Sequence, residues 1–333
     1  MTLRLHYFKI TLLLTEGAVM KLNHINHIGI IGTGMIGASL AVLFTGNGYK
    51  TSVYAINDKE QERGLTQYNI FLQDLIKAQL VSKEQAKKCS DLLKVTQSYE
   101  DLSDVDFIFE CVFERIDVKY NVYKEIEKHC KQYKAIASST SAISAEKLAE
   151  GLDHKEKLLV AHPWNPPHLV PCVEVVKSEY SSEEATKTVL EILSSVGREV
   201  VLLKKGAPGF IGNRLQYAML REAVYMVEQG IASPEDIDRT LMYSFAPRYT
   251  KIGIFEHFDN CGLDLTKDIE NYLFPYLSNA QEAQDLINEH CEAEEFGIKS
   301  NKGMLNWQRK DLQDFRERVA SPYLKYFNYD LPE

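Results

Sequence analysis

Between residues 27 and 204 the chain alternates short apolar runs with longer stretches in which apolar residues recur every three or four positions. The runs at 27–32, 50–56, 106–112, 135–138, 157–161, 172–176 and 199–204 predict strands. The stretches 34–47, 58–80, 83–92, 117–131, 145–152 and 183–195 predict helices. Helix 34–47 carries apolar residues at 36, 40, 43 and 44 and stops at Asn47-Gly48. Strands alternating with helices imply a mostly parallel sheet, because parallel neighbours need a crossover and its helix then covers a face. Past residue 205 the alternation ends. Residues 213–230 read as a long amphipathic helix. Ser233-Pro234-Glu235-Asp236 reads as an N-cap, a proline at the first helical position and an acidic first turn. Helices and loops follow to about residue 330.

The first strand runs straight into Gly32-Thr33-Gly34-Met35-Ile36-Gly37, and a helical pattern follows at once. Each glycine has a physical reason to be there. Gly32 permits a tight turn, Gly34 lets backbone approach a pyrophosphate, and Gly37 lets the new helix pack closely on the strand. The helix then aims its first N–H groups at the phosphates. A lone motif of this kind is often an ordinary turn; the strand before it and the helix after it point to dinucleotide binding. The expected fold is α/β, a Rossmann-like doubly wound parallel sheet followed by an all-helical C-terminal domain. The expected division is an N-terminal tail at 1–22, a dinucleotide-binding domain at 23–206 and a helical domain at 207–333, with the boundary in the Gly/Pro loop 204–209.

Length and composition agree with this reading. The chain has 333 residues, enough for about two domains. Its 45% hydrophobic and 26% charged content suits a globular protein with a real core. A net charge of −9 leaves no basic stripe for nucleic acid. No apolar run approaches the length of a membrane span. The six cysteines lack CxxC spacing and are expected to be small buried thiols in a reducing, cytoplasmic setting. No metal-ligand spacing occurs, His24 and His27 included, and no metal is expected. Residues 1–19 hold a short apolar run that makes a poor signal peptide, so they are expected to be dispensable.

Several polar residues stand where such a sheet would present a ligand. His162 opens a proline-rich loop after an apolar strand, and ligands of open α/β sheets bind at the carboxyl ends of strands. A histidine there can take a proton from an alcohol near neutral pH, although a structural loop histidine fits the local context equally well. Glu174 lies in a β-branched run, costly for a carboxylate without a partner. Paired with His162 it would orient the ring and stabilise an imidazolium; the alternative is a solvent-facing edge position. Ser138 to Ser141 end another strand, where a hydroxyl could meet a substrate oxygen or merely cap the following helix. Asn213 begins the long helix, as a cap or as an amide for a substrate. His168, His257 and Arg248 are weaker candidates.

Taken together, the strings GTGMIG (32–37), ECVFERIDVK (110–119), SSTSAIS (138–144), HPWNPPHLVPCVEVV (162–176), APGFIGNRLQ (207–216) and FGIKSNKGMLNW (296–307) resemble the 3-hydroxyacyl-CoA dehydrogenase family. The relatives of that family include L-gulonate 3-dehydrogenase (lambda-crystallin) and L-carnitine dehydrogenase. The resemblance implies His162 as catalytic base, Glu174 as its acidic partner, and Ser141 and Asn213 as contacts to the substrate oxygens. It implies a cofactor site at Gly32, Gly34, Met35, Ile36 and Gly37, with Glu114 and Lys119 nearby. It further implies NAD as cofactor, a homodimer formed through the C-terminal domain, and a place in fatty acid metabolism.

Three departures from the family pattern matter. The acidic residue expected after strand two falls on Ala55, with Asn57 and Asp58 just beyond it. That carboxylate normally accepts from the ribose 2′-OH and repels a 2′-phosphate. Lys59 and Arg63 would tolerate such a phosphate, while Asp58 works against it. The family's Asn-Thr-Ser is Ser139-Thr140-Ser141 here, and its Glu-Asn is Glu114-Arg115. The expected function is hydride transfer between a 3-hydroxyacyl-CoA, such as 3-hydroxybutyryl-CoA, and NAD. The alternatives are a dehydrogenase of a free 3-hydroxy acid such as L-gulonate or of L-carnitine, and a non-catalytic cofactor-binding structural protein like lambda-crystallin. An arginine such as Arg248 would suit a free carboxylate.

Overall fold

The computed structural model describes Leu22, residues 24–327 and Tyr329. The expectation for residues 1–19 lies outside the described residues. The chain divides into two compact units. One holds the residues up to Phe210 together with those from Arg318 onward, and the other spans Ile211–Glu317. The sequence reading assigned all of 207–333 to one helical domain. The segment from Arg318 instead belongs with the sheet, where Tyr323, Leu324, Phe327 and Tyr329 pack on its main core.

The first unit is built on one eight-stranded sheet. In chain order its strands are β1 (His27–Ile31), β2 (Lys50–Tyr54), β3 (Leu93–Thr96), β4 (Phe107–Glu110), β5 (Ala135–Ser138), β6 (Leu158–Pro163), β7 (Cys172–Lys177) and β8 (Glu199–Leu202). In space they lie β3-β2-β1-β4-β5-β6-β7-β8. All neighbours are parallel except β6 and β7. Strands β1, β4 and β5 are buried throughout, as expected of strands covered on both faces. β3 is absent from the sequence expectation: at four residues, Leu-Lys-Val-Thr, and on the sheet edge, it is too short and too mixed to show a period.

Helix α1 (Met35–Gly46) is buried from Gly37 to its end, which explains why it is apolar on nearly every side. Helices α2 (Asp58–Lys77) and α3 (Lys83–Asp91) are amphipathic and begin at Asn57 and Ser82, whose side chains accept from Glu60 N and Gln85 N. α4 (Ile116–His129), α5 (Ala145–Ala149) and α6 (Glu183–Ser195) complete the cover. Two cores result. One contains Phe44, Phe107 and Phe109, and the other Tyr123, Ile136 and Leu148.

The second unit is helical, with α7 (Gly212–Glu228), α8 (Pro234–Tyr243), α9 (Ile254–Cys261), α10 (Leu263–Leu273) and α11 (Asp285–Glu292). A last helix, α12 (Leu312–Ala320), runs across the unit boundary at Arg318. The N-cap at Ser233 forms as read: its side chain accepts from Asp236 N, with Pro234 at the first helical position. Cys261 and Cys291 are exposed, contrary to the expectation of buried thiols, while Cys89 and Cys130 are buried. No described helix is long and apolar enough to cross a membrane.

The contact between α1 and β1 tolerates no side chain. A Cβ on Gly37 would lie 2.0 Å from the Gly32 carbonyl oxygen. Gly37→Ala is expected to force the helix off the strand and lower stability by about 1–3 kcal/mol. Urea unfolding monitored by circular dichroism checks this; an unchanged midpoint would refute it.

Candidate active site

The carboxyl ends of β1 and β4 meet at the glycine loop. Gly32 has φ +113°, and a Cβ there would lie 2.6 Å from the Cys111 carbonyl oxygen. Only glycine takes this conformation at such close approach. Gly34 behaves differently, since a Cβ on it would meet nothing within 4 Å. It faces a cleft of about 650 Å³ that Gly32, Gly34, Met35 and Ile36 line. Gly34 is also the N-cap of α1, with no side-chain cap and no acidic residue in the first turn. The amides at this helix end are therefore left for an anion, and the bare position leaves room for a pyrophosphate to approach. The residues present fit a dinucleotide.

On the far wall of the cleft stand Glu114, Ser139 and Ser141. Glu114 Oε1 accepts from Ser141 N at 3.0 Å, Ala142 N at 3.1 Å and the Thr140 hydroxyl. Its Oε2 lies 3.4 Å from Lys119 Nζ. Burial opposes ionisation of Glu114, but the Thr140 hydroxyl, the Lys119 ammonium and the two amides prevail and hold its pKa below the usual carboxylate value. Glu114 thus fixes the serine loop at the end of β5.

Lys119 is fully buried and does not line the cleft. Its Nζ lies 2.7 Å from Glu110 Oε1, and Glu110 Oε2 accepts from the Tyr123 hydroxyl at 3.0 Å and the Ser138 hydroxyl at 2.6 Å. The sequence reading put Lys119 beside the cofactor. Its position is behind Glu114, where it holds that carboxylate in place.

His162 and Glu174 come together because β6 and β7 run antiparallel. A parallel return needs roughly a dozen residues or more, usually with a helix, and the short proline-bearing loop between them supplies neither. The chain turns back, and the register places His162 directly opposite Glu174. His162 Nδ1 lies 3.1 Å from Glu174 Oε2, and Trp164 Nε1 donates to the same oxygen at 3.3 Å. Glu174 is buried, while the His162 side chain keeps 13% of its surface. With Nδ1–H turned to the carboxylate, the neutral ring carries its lone pair on Nε2, the arrangement of an oriented base. The Phe210 ring stands 5.3 Å from the imidazole.

His168 has a different role. It is buried against Phe71, its Nδ1 lies 2.7 Å from the Ser39 hydroxyl, and burial together with the Arg198 charge pushes its pKa down to about 3. Arg198 donates to the Pro167 and Val170 carbonyls and Tyr329 to the His168 carbonyl, so the loop after His162 is pinned from three sides. Asn213 lies in the second unit, at the second position of α7 and partly exposed. Arg248 is exposed in that unit, its Nη1 3.2 Å from His257 Nε2. The sequence reading did not single out Glu110, Tyr123 or Trp164, and it offered Thr140 only as one of four hydroxyls for a substrate, not as a partner of Glu114. Glu110 carried one signal, a carboxylate ending a run of Phe-Ile-Phe in a central strand.

A glycine loop at the carboxyl end of β1 and an oriented histidine–carboxylate pair across β6 and β7 are the parts of an NAD-dependent oxidoreductase acting on CH–OH groups, and the comparisons with known proteins show that class. Residues 27–206 match the NAD-binding domain of 3-hydroxyacyl-CoA dehydrogenase and residues 209–307 match its C-terminal domain. The chain belongs to the 3-hydroxyacyl-CoA dehydrogenase family. It is 32% identical over 298 residues to 5-formyl-3-hydroxy-2-methylpyridine 4-carboxylate 5-dehydrogenase of Mesorhizobium japonicum, covering 88% of this chain and 96% of that one. It is 34% identical over 236 residues to L-carnitine dehydrogenase of Oceanobacillus iheyensis, covering 71% and 76%. A crystal structure of a 5-formyl-3-hydroxy-2-methylpyridine 4-carboxylic acid 5-dehydrogenase, described as an NAD⁺-dependent dismutase, superposes with a TM-score of 0.80 at 30% identity, over 90% of this chain and 97% of the other. (S)-3-Hydroxybutyryl-CoA dehydrogenase from Ralstonia eutropha gives 0.71 at 26% identity, over 86% and 100%.

The buried ion pair yields a test. Lys119→Met leaves Glu110 without its cation and is expected to lower stability by about 3–5 kcal/mol. Urea unfolding measures it, and a loss below about 1 kcal/mol would show that the hydroxyls around Glu110 suffice alone.

Proposed function

We propose that the chain uses NAD to oxidise a secondary hydroxyl on a small carboxylic acid, with His162 as the base. The observation that carries the chemistry is the His162–Glu174 contact of 3.1 Å across β6 and β7. His162 Nε2 takes the hydroxyl proton as the C–H bond gives up its hydride. Glu174 balances the imidazolium, and Trp164 holds the Glu174 oxygen that faces the ring. Ser141, which lines the cleft, orients a substrate oxygen. NAD, when bound, would supply the hydride acceptor; Gly32, Gly34, Met35 and Ile36 would hold it, with the first N–H groups of α1 available to its pyrophosphate. The proton later leaves His162 for water.

Two relatives support a free acid. The relative aligned over almost its whole length acts, by name, on a pyridine carboxylate, and another acts on L-carnitine, itself a hydroxy acid. The sequence reading put the 3-hydroxyacyl-CoA thioester first. It stands as the second reading, favoured by the family match and by the likeness to (S)-3-hydroxybutyryl-CoA dehydrogenase.

The assembly proposed is a homodimer formed through the second unit. Among the described residues of 211–317, Val224 alone is buried, while Leu215, Tyr217, Met219 and Leu220 of α7 are all exposed. So much apolar surface on a helical unit calls for a partner, and a second copy of the chain offers the same surface in return.

Steady-state assays with NAD against L-carnitine, L-gulonate, 3-hydroxybutyrate and 3-hydroxybutyryl-CoA test the substrate. The highest kcat/KM is expected with a free acid. Activity confined to the thioester would reverse the order of the two readings. His162→Ala should lower kcat by about 10²–10⁴-fold while NADH still binds; a rate within threefold of the parent would sink the base assignment. Light scattering should give about twice the chain mass, and a monomer at micromolar concentration would end the dimer proposal.

A further inference from the structure

The segment after β2 lacks the carboxylate that reads a ribose in such clefts. Ala55 is buried and its N–H donates to the Thr96 carbonyl at 2.8 Å. Asn57 is occupied as the cap of α2, its Oδ1 accepting from Glu60 N at 2.9 Å. Asp58 accepts from Gln97 Nε2 at 2.6 Å and does not line the cleft. Of the carboxylates in residues 55–63, Glu60 does line it, in the first turn of α2.

The packing of α2 explains how Glu60 gets there. Gly64 is buried, and a Cβ on it would lie 2.7 Å from Thr33 Cβ, in the middle residue of the Gly32-Thr33-Gly34 turn. Without that side chain the helix rests directly on the glycine loop. Glu60, four residues earlier, shares the same helix face. Its Oε2 accepts from the Thr33 hydroxyl at 3.3 Å, which sets the carboxylate at the rim of the dinucleotide cleft. Arg63 also lines the cleft, its Nη1 3.4 Å from the same Glu60 oxygen.

We propose that Glu60 is the cofactor-discriminating residue of this chain. It replaces the absent strand-end carboxylate from the neighbouring helix, accepts from the adenosine ribose hydroxyls of NAD, and repels the 2′-phosphate of NADP. It also occupies Arg63, which would otherwise meet that phosphate. This inference rests on the NAD-binding assignment of the cleft.

Equilibrium titration of the full chain with NADH and NADPH, followed by nicotinamide fluorescence, tests it. The parent should bind NADH more tightly. Glu60→Gln should weaken NADH by about tenfold, the loss of a hydrogen bond to a charged group, and strengthen NADPH, so that the ratio of the two affinities falls by more than tenfold. Glu60→Gln combined with Arg63→Ala should keep the NADH loss and abolish the NADPH gain. Glu60→Ala provides a second variant at this half-exposed helix position, and melting curves confirm the fold of each. A ratio within twofold of the parent in folded Glu60→Gln and Glu60→Ala would overturn the proposal. A parent chain that binds neither dinucleotide would overturn the NAD-binding assignment and the proposal with it.

Discussion

Glu110 and Lys119 form an ion pair with no exposed surface at the carboxyl end of the central strand β4, and the geometry around the cleft is built outward from it. Two charges out of water are costly unless every remaining donor and acceptor is met. Glu110 meets this demand through Lys119, Tyr123, Ser138 and Val112 N, drawn from helix α4, the end of β5 and the segment after β4. Lys119 then reaches past Glu110 to Glu114, and Glu114 gathers Thr140, Ser141 and Ala142. The β4 end, helix α4 and the serine loop can therefore take only relative positions that keep this chain of charges satisfied. An apolar cluster of similar volume would pack the same elements without fixing Ser141.

The histidine–carboxylate pair has a separate origin, in topology. Had the chain crossed over after β6 as it does elsewhere, β7 would have run parallel and Glu174 would not have faced His162. The proline loop denies the crossover, and the register of the resulting antiparallel pair does the rest. Arg198, Ser39 and Tyr329 hold that loop by its carbonyls, its histidine and its backbone. His162 and Glu174 thus stand on strands, and the segment joining them is pinned from the opposite side. Positional precision of this kind is what proton abstraction requires.

How much of this the sequence disclosed depends on the range of each interaction. The glycine loop was legible because strand, turn and helix are consecutive, and their periods change where the glycines stand. The alternation of strands and helices was legible for the same reason. A costly carboxylate at Glu174 announced that it needed a partner, and the family resemblance implied which. The ion network was not legible: Glu110 carried the signal of a carboxylate in an apolar strand, but nothing along the chain named Lys119, Tyr123 or Ser138 as its partners, and only folding brings them within reach. β3 escaped because four residues on an edge carry no period. The return of Tyr329 to the first core escaped because its partner, the His168 carbonyl, lies 161 residues away along the chain.

The same distinction bears on the cofactor. Read along the chain, Ala55 is a loss, since the position that should carry a charge carries a methyl group. In the fold the loss is local, because α2 lies against the glycine loop and brings a carboxylate in from the side. What permits this is an absence at Gly64, four residues from the charge and 2.7 Å from Thr33 by the measure of the side chain it lacks. A function fixed to one strand end in the family pattern can therefore pass to a helix when a single glycine lets that helix descend. What is preserved is a negative charge at the rim of the cleft, and the residue that supplies it is free to differ.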